Sequence, residues 1–242
     1  MFSSPGIKHY PLTCVSSYFP VKNKHNNKYN EWFKNSLAVN CPYVFFTSKN
    51  SIDLIKKFRK NLLTYYIVCE IEDFYTYRYK DRMITRPDHC PSVELNLIWN
   101  EKIFMMQSAS QLNPFKSEWF HWIDAGICVF RERCPPKTEF RNIHKLNRLP
   151  KDKLIYSQSE TYDKTSISKT NYYHHISGTF LIHKNFIDFF LEFYKEYLDK
   201  LVDRNNIWTD QVIHTHIHKD KPELYFKLCD GYGKISEYLF NI

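Results

Sequence analysis

At 242 residues, 43% hydrophobic and 17% aromatic, the chain has ample apolar content for a folded core, which excludes a disordered protein and fits one large domain or two small ones. Its net charge of +8 favours anionic partners (nucleotides, phosphosugars, nucleic acid, an acidic membrane surface) without choosing among them. No uninterrupted apolar run approaches the roughly 20 residues that a bilayer-spanning helix needs.

The first predicted element is a short apolar, β-branched strand over residues 12–19. Residues 28–39 carry Tyr29, Trp32, Phe33 and Leu37 at near-helical spacing. Residues 43–47, Tyr-Val-Phe-Phe-Thr, read as a buried strand. Ser51 is suited to cap a helix running to about Lys60, with Ile52, Ile55 and Phe58 on one face and Asp53 near its positive end. A further strand is expected over 64–71, and a charged, aromatic loop over 72–91. From Pro91 a long helix runs to about Gln111, with Val93, Leu97, Phe104, Met105, Ser108 and Leu112 on its inner side. The polar stretch 131–173 predicts a long connection, a lid or acceptor loop, or a surface insertion. A strand over 177–183 follows. Next come an amphipathic helix over 184–202, with Phe186, Phe189, Phe190, Phe193, Tyr197 and Leu201 on its apolar face, a short helix holding Thr209, Asp210 and Gln211, and a last strand over 223–228. Strands alternating with helices predict an α/β fold with a largely parallel sheet, read as one domain over 1–242.

One carboxylate stands out. The predicted strand Trp119–Ile123 delivers Asp124 at its C-terminal end, and Gly126 follows in a sharp turn. In open α/β sheets ligands bind outside the carboxyl ends of strands, so Asp124 is the first candidate for chemistry. The alternative is that it only caps a turn.

Seven cysteines, with no Cys-x-x-Cys pair and with Cys14, Cys69 and Cys128 inside apolar runs, argue against disulfides or a thiolate zinc site. A reducing, cytoplasmic setting is expected, with recruitment to a membrane surface as the variant. Residues 1–10 are polar and lack the apolar core of a secretory signal. The basic runs at Lys56-Lys57, Arg59-Lys60 and from Arg78 to Arg86 read as solvated surface.

Several separated pieces belong together: Cys90-Pro-Ser-Val-Glu94, Leu97-Ile-Trp-Asn-Glu-Lys102, Asn113-Pro-Phe115, Phe120-His-Trp-Ile-Asp124-Ala-Gly126, Gly178-Thr-Phe180 and Asp210-Gln211. In this order they resemble the HtrL/YibB-like family, which belongs with the GT-A glycosyltransferases. The resemblance spans nearly the whole chain, is specific over 91–126 and is loose towards both ends. It implies a GT-A-like, three-layer α/β/α sandwich with a mixed, mostly parallel sheet. It also implies an enzyme of the hexosyltransferase type, taking a sugar from a nucleotide-diphosphate donor, UDP-linked by analogy, to a glycan, lipid or protein hydroxyl.

The resemblance also suggests roles. Asp124 lies where the family fold holds the donor diphosphate, through Mn²⁺ or Mg²⁺ on an Asp-x-Asp pair. Here Gly126 replaces the second acid. Either another ligand completes a metal site or a cationic side chain replaces the metal. His216 is the tentative second ligand, with His214 and His218 as neighbours that share a helix face. Arg131 and Arg133 can grip diphosphate oxygens. Ser16, Ser17 and Tyr18 would meet base and ribose, Asn100, Lys102 and Gln211 would bind the donor, and Glu94 would orient Lys102 or face solvent. Gly178 would let backbone approach the sugar. Asp210 would position the sugar or, in an inverting reaction, deprotonate the acceptor, with helix capping as its alternative. Trp99 and His121 are expected in the core, and the His174-His175 pair in the loop before the Gly178 strand. Two other classes remain: a nucleotide- or glycan-binding module without turnover, supported by the missing acid, and a single-strand nucleic-acid binder, supported only by charge and aromatics.

Overall fold

The computed structural model describes residues 9–25, 28–159 and 175–241. Strands buried on both faces read as continuous apolar runs, and the Tyr43–Thr47 strand is buried at every position. With strands β1 (Leu12–Tyr18), β2 (Tyr43–Thr47), β3 (Thr64–Val68), β4 (Trp119–Trp122), β5 (Leu154–Gln158), β6 (Ile176–His183) and β7 (Tyr225–Asp230), one seven-stranded sheet runs in the order β3-β2-β1-β4-β6-β5-β7. Only β6 is antiparallel to its neighbours, β4 and β5; every other pairing is parallel.

Side chains alternate across a strand, so each strand feeds two cores. Val44, Phe46, Phe120, Trp122, Phe180 and Ile182 pack against α3 (Val93–Leu112), α5 (Lys184–Asp203) and α6 (Asp210–Asp220). Tyr43, Phe45, Trp119 and Leu181 pack against α1 (Tyr29–Ser36), α2 (Ile52–Arg59), α4 (Ile143–Asn147) and α7 (Lys234–Phe240). The result is the expected α/β/α sandwich with a mixed, mostly parallel sheet. All seven cysteines are free. No described helix is long and apolar enough to cross a membrane.

Several expectations need correction. The connection 131–173 is not one long loop: its described part, to residue 159, carries α4 and β5, while 160–173 lies outside the described residues. β5 pairs with both β6 and β7, and its Leu154, Ile155 and Tyr156 are buried. Five residues in a polar setting left too short an apolar run to stand out. Residues 72–91 are not plain loop either, because 3-10 turns occupy Ile71–Asp73 and Tyr75–Arg82. Ser92, accepting from the Leu95 amide, caps α3 rather than Pro91 starting it. That helix is buried on nearly every side from Leu95 to Met106, so a single inner stripe does not describe it, and its predicted inner residues Ser108 and Leu112 are exposed. Phe189 of α5 is also exposed. The Ser51 hydroxyl does not cap α2; it bonds the hydroxyls of Thr47 and Ser48.

Arg59 is the largest departure from the surface reading of the basic runs. It is fully buried and its guanidinium lies 3.9 Å from the Tyr43 ring centre. It donates to the carbonyls of Leu37, Val39, Cys41 and Leu63 and to the Thr64 hydroxyl. These acceptors end α1, open β2 and open β3, so one side chain ties the edge of the sheet to the loops that feed it. Arg59→Leu removes the side-chain donor from four carbonyls, of which only Val39 and Leu63 keep a backbone N–H among the described residues, and Arg59→Lys reaches too few of them. Each should lower stability by about 3 kcal/mol or more, read as a fall in urea midpoint at unchanged slope.

Glu101 of α3 anchors the 3-10 segment by accepting from the Tyr75 and Thr76 amides at 3.0 and 2.9 Å. Burial pushes its carboxyl up to about 7, against the pull of those amides. The folded chain therefore holds this proton where the unfolded chain releases it. The stabilisation is full below about pH 4 and is lost as pH rises through 7. Glu101→Gln should remove roughly 2 to 3 kcal/mol of this fall, measured by urea midpoints between pH 5 and 8.

Candidate functional site

The chain leaves β1 for β2 on one side, while β4 lies on the other, so a crevice opens at their carboxyl ends. A cavity of about 430 Å³ occupies it. Its floor comes from α3. Successive helical residues point about 100° apart, which sends the three polar residues 100 to 102 in three directions. Asn100 faces Asn96 and the Tyr194 hydroxyl of α5, Glu101 faces the 3-10 segment, and Lys102 alone reaches the cavity.

Lys102 is the centre of the site. Its ammonium lies 3.3 Å from Asp124 Oδ1 and 3.1 Å from Asp210 Oδ2, and it donates to the Gly178 carbonyl at 3.1 Å, with the side chain 4% exposed. Burial alone would lower its pKa; the two carboxylates outweigh burial and hold it above the ordinary lysine value. Burial raises the pKa of Asp210, with Lys102 opposing, and its Oδ1 accepts from the Thr209 hydroxyl. Asp124 accepts from Trp122 Nε1 on Oδ1 at 2.9 Å and from the Tyr232 hydroxyl on Oδ2 at 2.8 Å. Tyr232 arrives from the turn after β7, where Gly231 and Gly233 both adopt positive φ. Its phenol is pushed well above the ordinary range by burial and then by Asp124.

Two glycines are explained by what a side chain would strike. A Cβ at Gly126 would lie 2.8 Å from Tyr29 Cε1 and 3.0 Å from Trp32 Cε3, so the rings of α1 fill the space of a second acid. A Cβ at Gly178 would meet Lys102 Nζ at 3.1 Å and the Tyr232 hydroxyl at 3.2 Å. Gly178 does not line the cavity; it makes room for the ammonium, not for a ligand.

The rim is cationic and aromatic. Arg131 Nε donates to the Gly126 carbonyl at 3.0 Å, and its guanidinium lies 3.7 Å from the centre of the Trp32 ring system. Lys24 Nζ is 3.3 Å from His89 Nδ1. His25 is lowered to about 4 by burial, then by Arg131, Lys24 and Lys28; His89 is lowered to about 4 by burial, then by Lys24 and His25. Tyr18 and Tyr29, with ring centres 5.6 Å apart, form an aromatic wall beside Ser17.

Of the residues expected at the site, Ser17, Tyr18, Lys102, Asp124, Gly126, Arg131, Asp210 and Gln211 line one cavity. The Gln211 amide donates to the Ile176 carbonyl. Ser16 is buried away from the cavity, and Asn100 is tied between helices. Glu94 and Arg133 are exposed and do not line the cavity. Trp99, expected in the core, borders the cavity with its ring centre 5.2 Å from that of His89. His121 is a satisfied core residue, bonded to the Phe180 carbonyl and the Ser236 hydroxyl. His214 is packed among Phe190, Tyr194 and Tyr225, and His175 and His218 gather on the Tyr156 hydroxyl. His174 lies outside the described residues.

His216 is half-buried and does not line the cavity, so it does not complete a metal shell with Asp124. Among the described residues no group of three His, Cys, Asp or Glu side chains could hold a metal ion. Both oxygens of Asp124 already have donors, and an ammonium sits between the two acids. The described residues at this cavity do not fit a divalent cation.

Tyr232, Tyr29, Lys24, His25 and His89 were not expected at the site. The Gly-Tyr-Gly run at 231–233 was a visible turn signal. Lys24, His25 and His89 carried none, because their meeting depends on two distant loops.

A family model described as "Bacterial protein of unknown function (HtrL_YibB)" matches residues 67–237, a span that contains the 91–126 block. Among solved structures, 4-diphosphocytidyl-2C-methyl-D-erythritol synthase from Anaerococcus prevotii DSM 20548 is similar at 13% identity. The alignment covers 92% of this chain and 90% of that one, with a TM-score of 0.47. No curated protein matches.

Restoring the second acid with Gly126→Asp should not create a metal site. The new Cβ has to displace the Tyr29 ring, and the variant should lose about 1 to 3 kcal/mol with no gain in melting temperature on adding Mn²⁺. A rise in melting temperature with Mn²⁺ would show that the pocket can open at this point.

Proposed function

The chain belongs to the HtrL_YibB family, and we propose that it is a glycosyltransferase moving a sugar from a nucleotide-diphosphate donor to a hydroxyl acceptor on a glycan, lipid or protein. The observation that carries this reading is the buried Lys102, Asp124 and Asp210 cluster on the floor of a cleft with a cationic rim and an aromatic wall. Tyr18 and Tyr29 offer faces for the base, uracil by the sequence resemblance, and Ser17 offers a hydroxyl for the ribose. Arg131 and Lys24 face the diphosphate. The sugar points to Asp124 and Asp210.

In the reaction the acceptor oxygen bonds the anomeric carbon while the bond from that carbon to the diphosphate oxygen breaks. Negative charge gathers on the departing nucleoside diphosphate, where fixed cations stabilise it most in a partly dry cleft. Asp210 positions the sugar or takes the acceptor proton. Its burial-raised pKa makes it a stronger base than an exposed carboxylate. Lys102 holds the two acids in one orientation and keeps their charges from repelling.

A second reading, a module that binds a nucleotide sugar without turning it over, is favoured by the full engagement of Asp124. Melting curves with a panel of nucleotide sugars, followed by assays of donor hydrolysis and transfer, separate the two. The expected outcome is a raised melting temperature with one donor class, as a ligand bound only to the native state requires, together with turnover. Asp210→Asn and Asp124→Asn should each cut that turnover by about a hundredfold or more, measured on the folded fraction because each also removes one counter-charge of Lys102. Stabilisation without turnover would favour the module, and no response to any nucleotide sugar would sink both.

A further inference from the structure

We infer that this site grips a diphosphate group without a divalent cation, Lys102 standing between Asp124 and Asp210 as a built-in counter-ion and Arg131 with Lys24 neutralising the phosphates. The inference rests on the glycosyltransferase reading only for the rest of the ligand; its own subject is the pyrophosphate unit.

Three independent observations support it. The acids are not available to a metal. Asp124 Oδ1 takes Lys102 and Trp122, its Oδ2 takes Tyr232, and Asp210 takes Lys102 and Thr209. A metal entering there would have to expel an ammonium whose side chain is 4% exposed, with Gly178 giving it room and a carbonyl to donate to. Next, the position that would supply a second acid is closed by Tyr29 and Trp32. Last, the rim already holds the cations that a diphosphate needs. Arg131 is fixed in orientation by the Trp32 ring and the Gly126 carbonyl, and its two terminal nitrogens make no hydrogen bond among the described residues. Those nitrogens are the pair that can bind two phosphate oxygens in parallel. Lys24 lies near enough for Arg131 to lower its pKa, after burial, and neither cation forms an ion pair with a carboxylate among the described residues. Two cations that line one cavity, with no carboxylate paired to either among the described residues, repel each other until an anion arrives. An incoming diphosphate relieves that repulsion.

Calorimetric titration of the full chain with inorganic pyrophosphate and with UDP, in excess chelator and again with Mn²⁺, tests the inference. Binding in chelator is expected, with affinity within about threefold of that with Mn²⁺. Arg131→Gln and Lys24→Gln, both on the rim and safe for folding, should each weaken pyrophosphate by about tenfold. Each should also flatten the dependence on salt. Pyrophosphate binding that vanishes in chelator, or that fails in both conditions, would overturn the inference. So would stoichiometric binding of Mn²⁺ alone that is lost in Asp124→Asn. Should pyrophosphate bind in chelator while no nucleotide sugar binds or turns over, the anion site stands and the glycosyltransferase reading falls.

Discussion

The site depends on one buried ammonium. An isolated lysine charge in a protein interior is costly, and Lys102 is tolerated there because two carboxylates and a carbonyl converge on it. The cluster draws on four elements: α3 supplies the lysine, the end of β4 supplies Asp124, the start of α6 supplies Asp210 and β6 supplies the carbonyl. The dependence runs both ways. Without the ammonium, two acids would face each other across a dry floor, and one of them would hold a proton instead of a charge. Helix, strand end and helix start are thus held in register by charge, at the point where the sheet opens.

The second constraint is space. The chain spends its few glycines where other side chains must approach. Gly126 lets the α1 aromatics close over the turn after β4, Gly178 admits Lys102 and Tyr232, and Gly231 with Gly233 turns the chain so that Tyr232 reaches back to Asp124. The cleft that results is polarised. Its floor is a neutralised lysine and acid cluster, and its rim carries cations that no carboxylate among the described residues pairs with. Under the proposed function an anion held at the rim would direct whatever is attached to it towards the acids.

Much of the frame was legible in the sequence because it rests on local pattern. The Tyr-Val-Phe-Phe-Thr strand and the strand ending at Asp124 announced themselves by apolar runs with turn residues behind them. The helix at 184–203 did so by periodicity; the one at 93–112 was legible from its start and length, while its predicted inner stripe failed at Ser108 and Leu112. Where pattern was short, it failed. β5 has five residues in a polar stretch, and α7 follows a glycine turn near the end of the described chain. Arg59 looked like one more surface base in a basic run. Only the fold shows that four carbonyls from separate loops converge on it. His216 was the tentative ligand and His214 with His218 the pair sharing a helix face, yet spacing on one helix cannot say which face meets the cleft.

Local pattern was enough to establish an alternating α/β chain with an acid at a strand end, because apolar periodicity and turn chemistry are properties of neighbours along the chain. It also brought forward Lys102, Arg131 and Asp210 as polar residues in the right segments. Tertiary structure decided what those residues do to one another. Asp124 meets an ammonium instead of a second acid, since the pairing depends on which distant elements the sheet order brings to one edge and on whether a ring or a carboxylate fills the space beside Gly126.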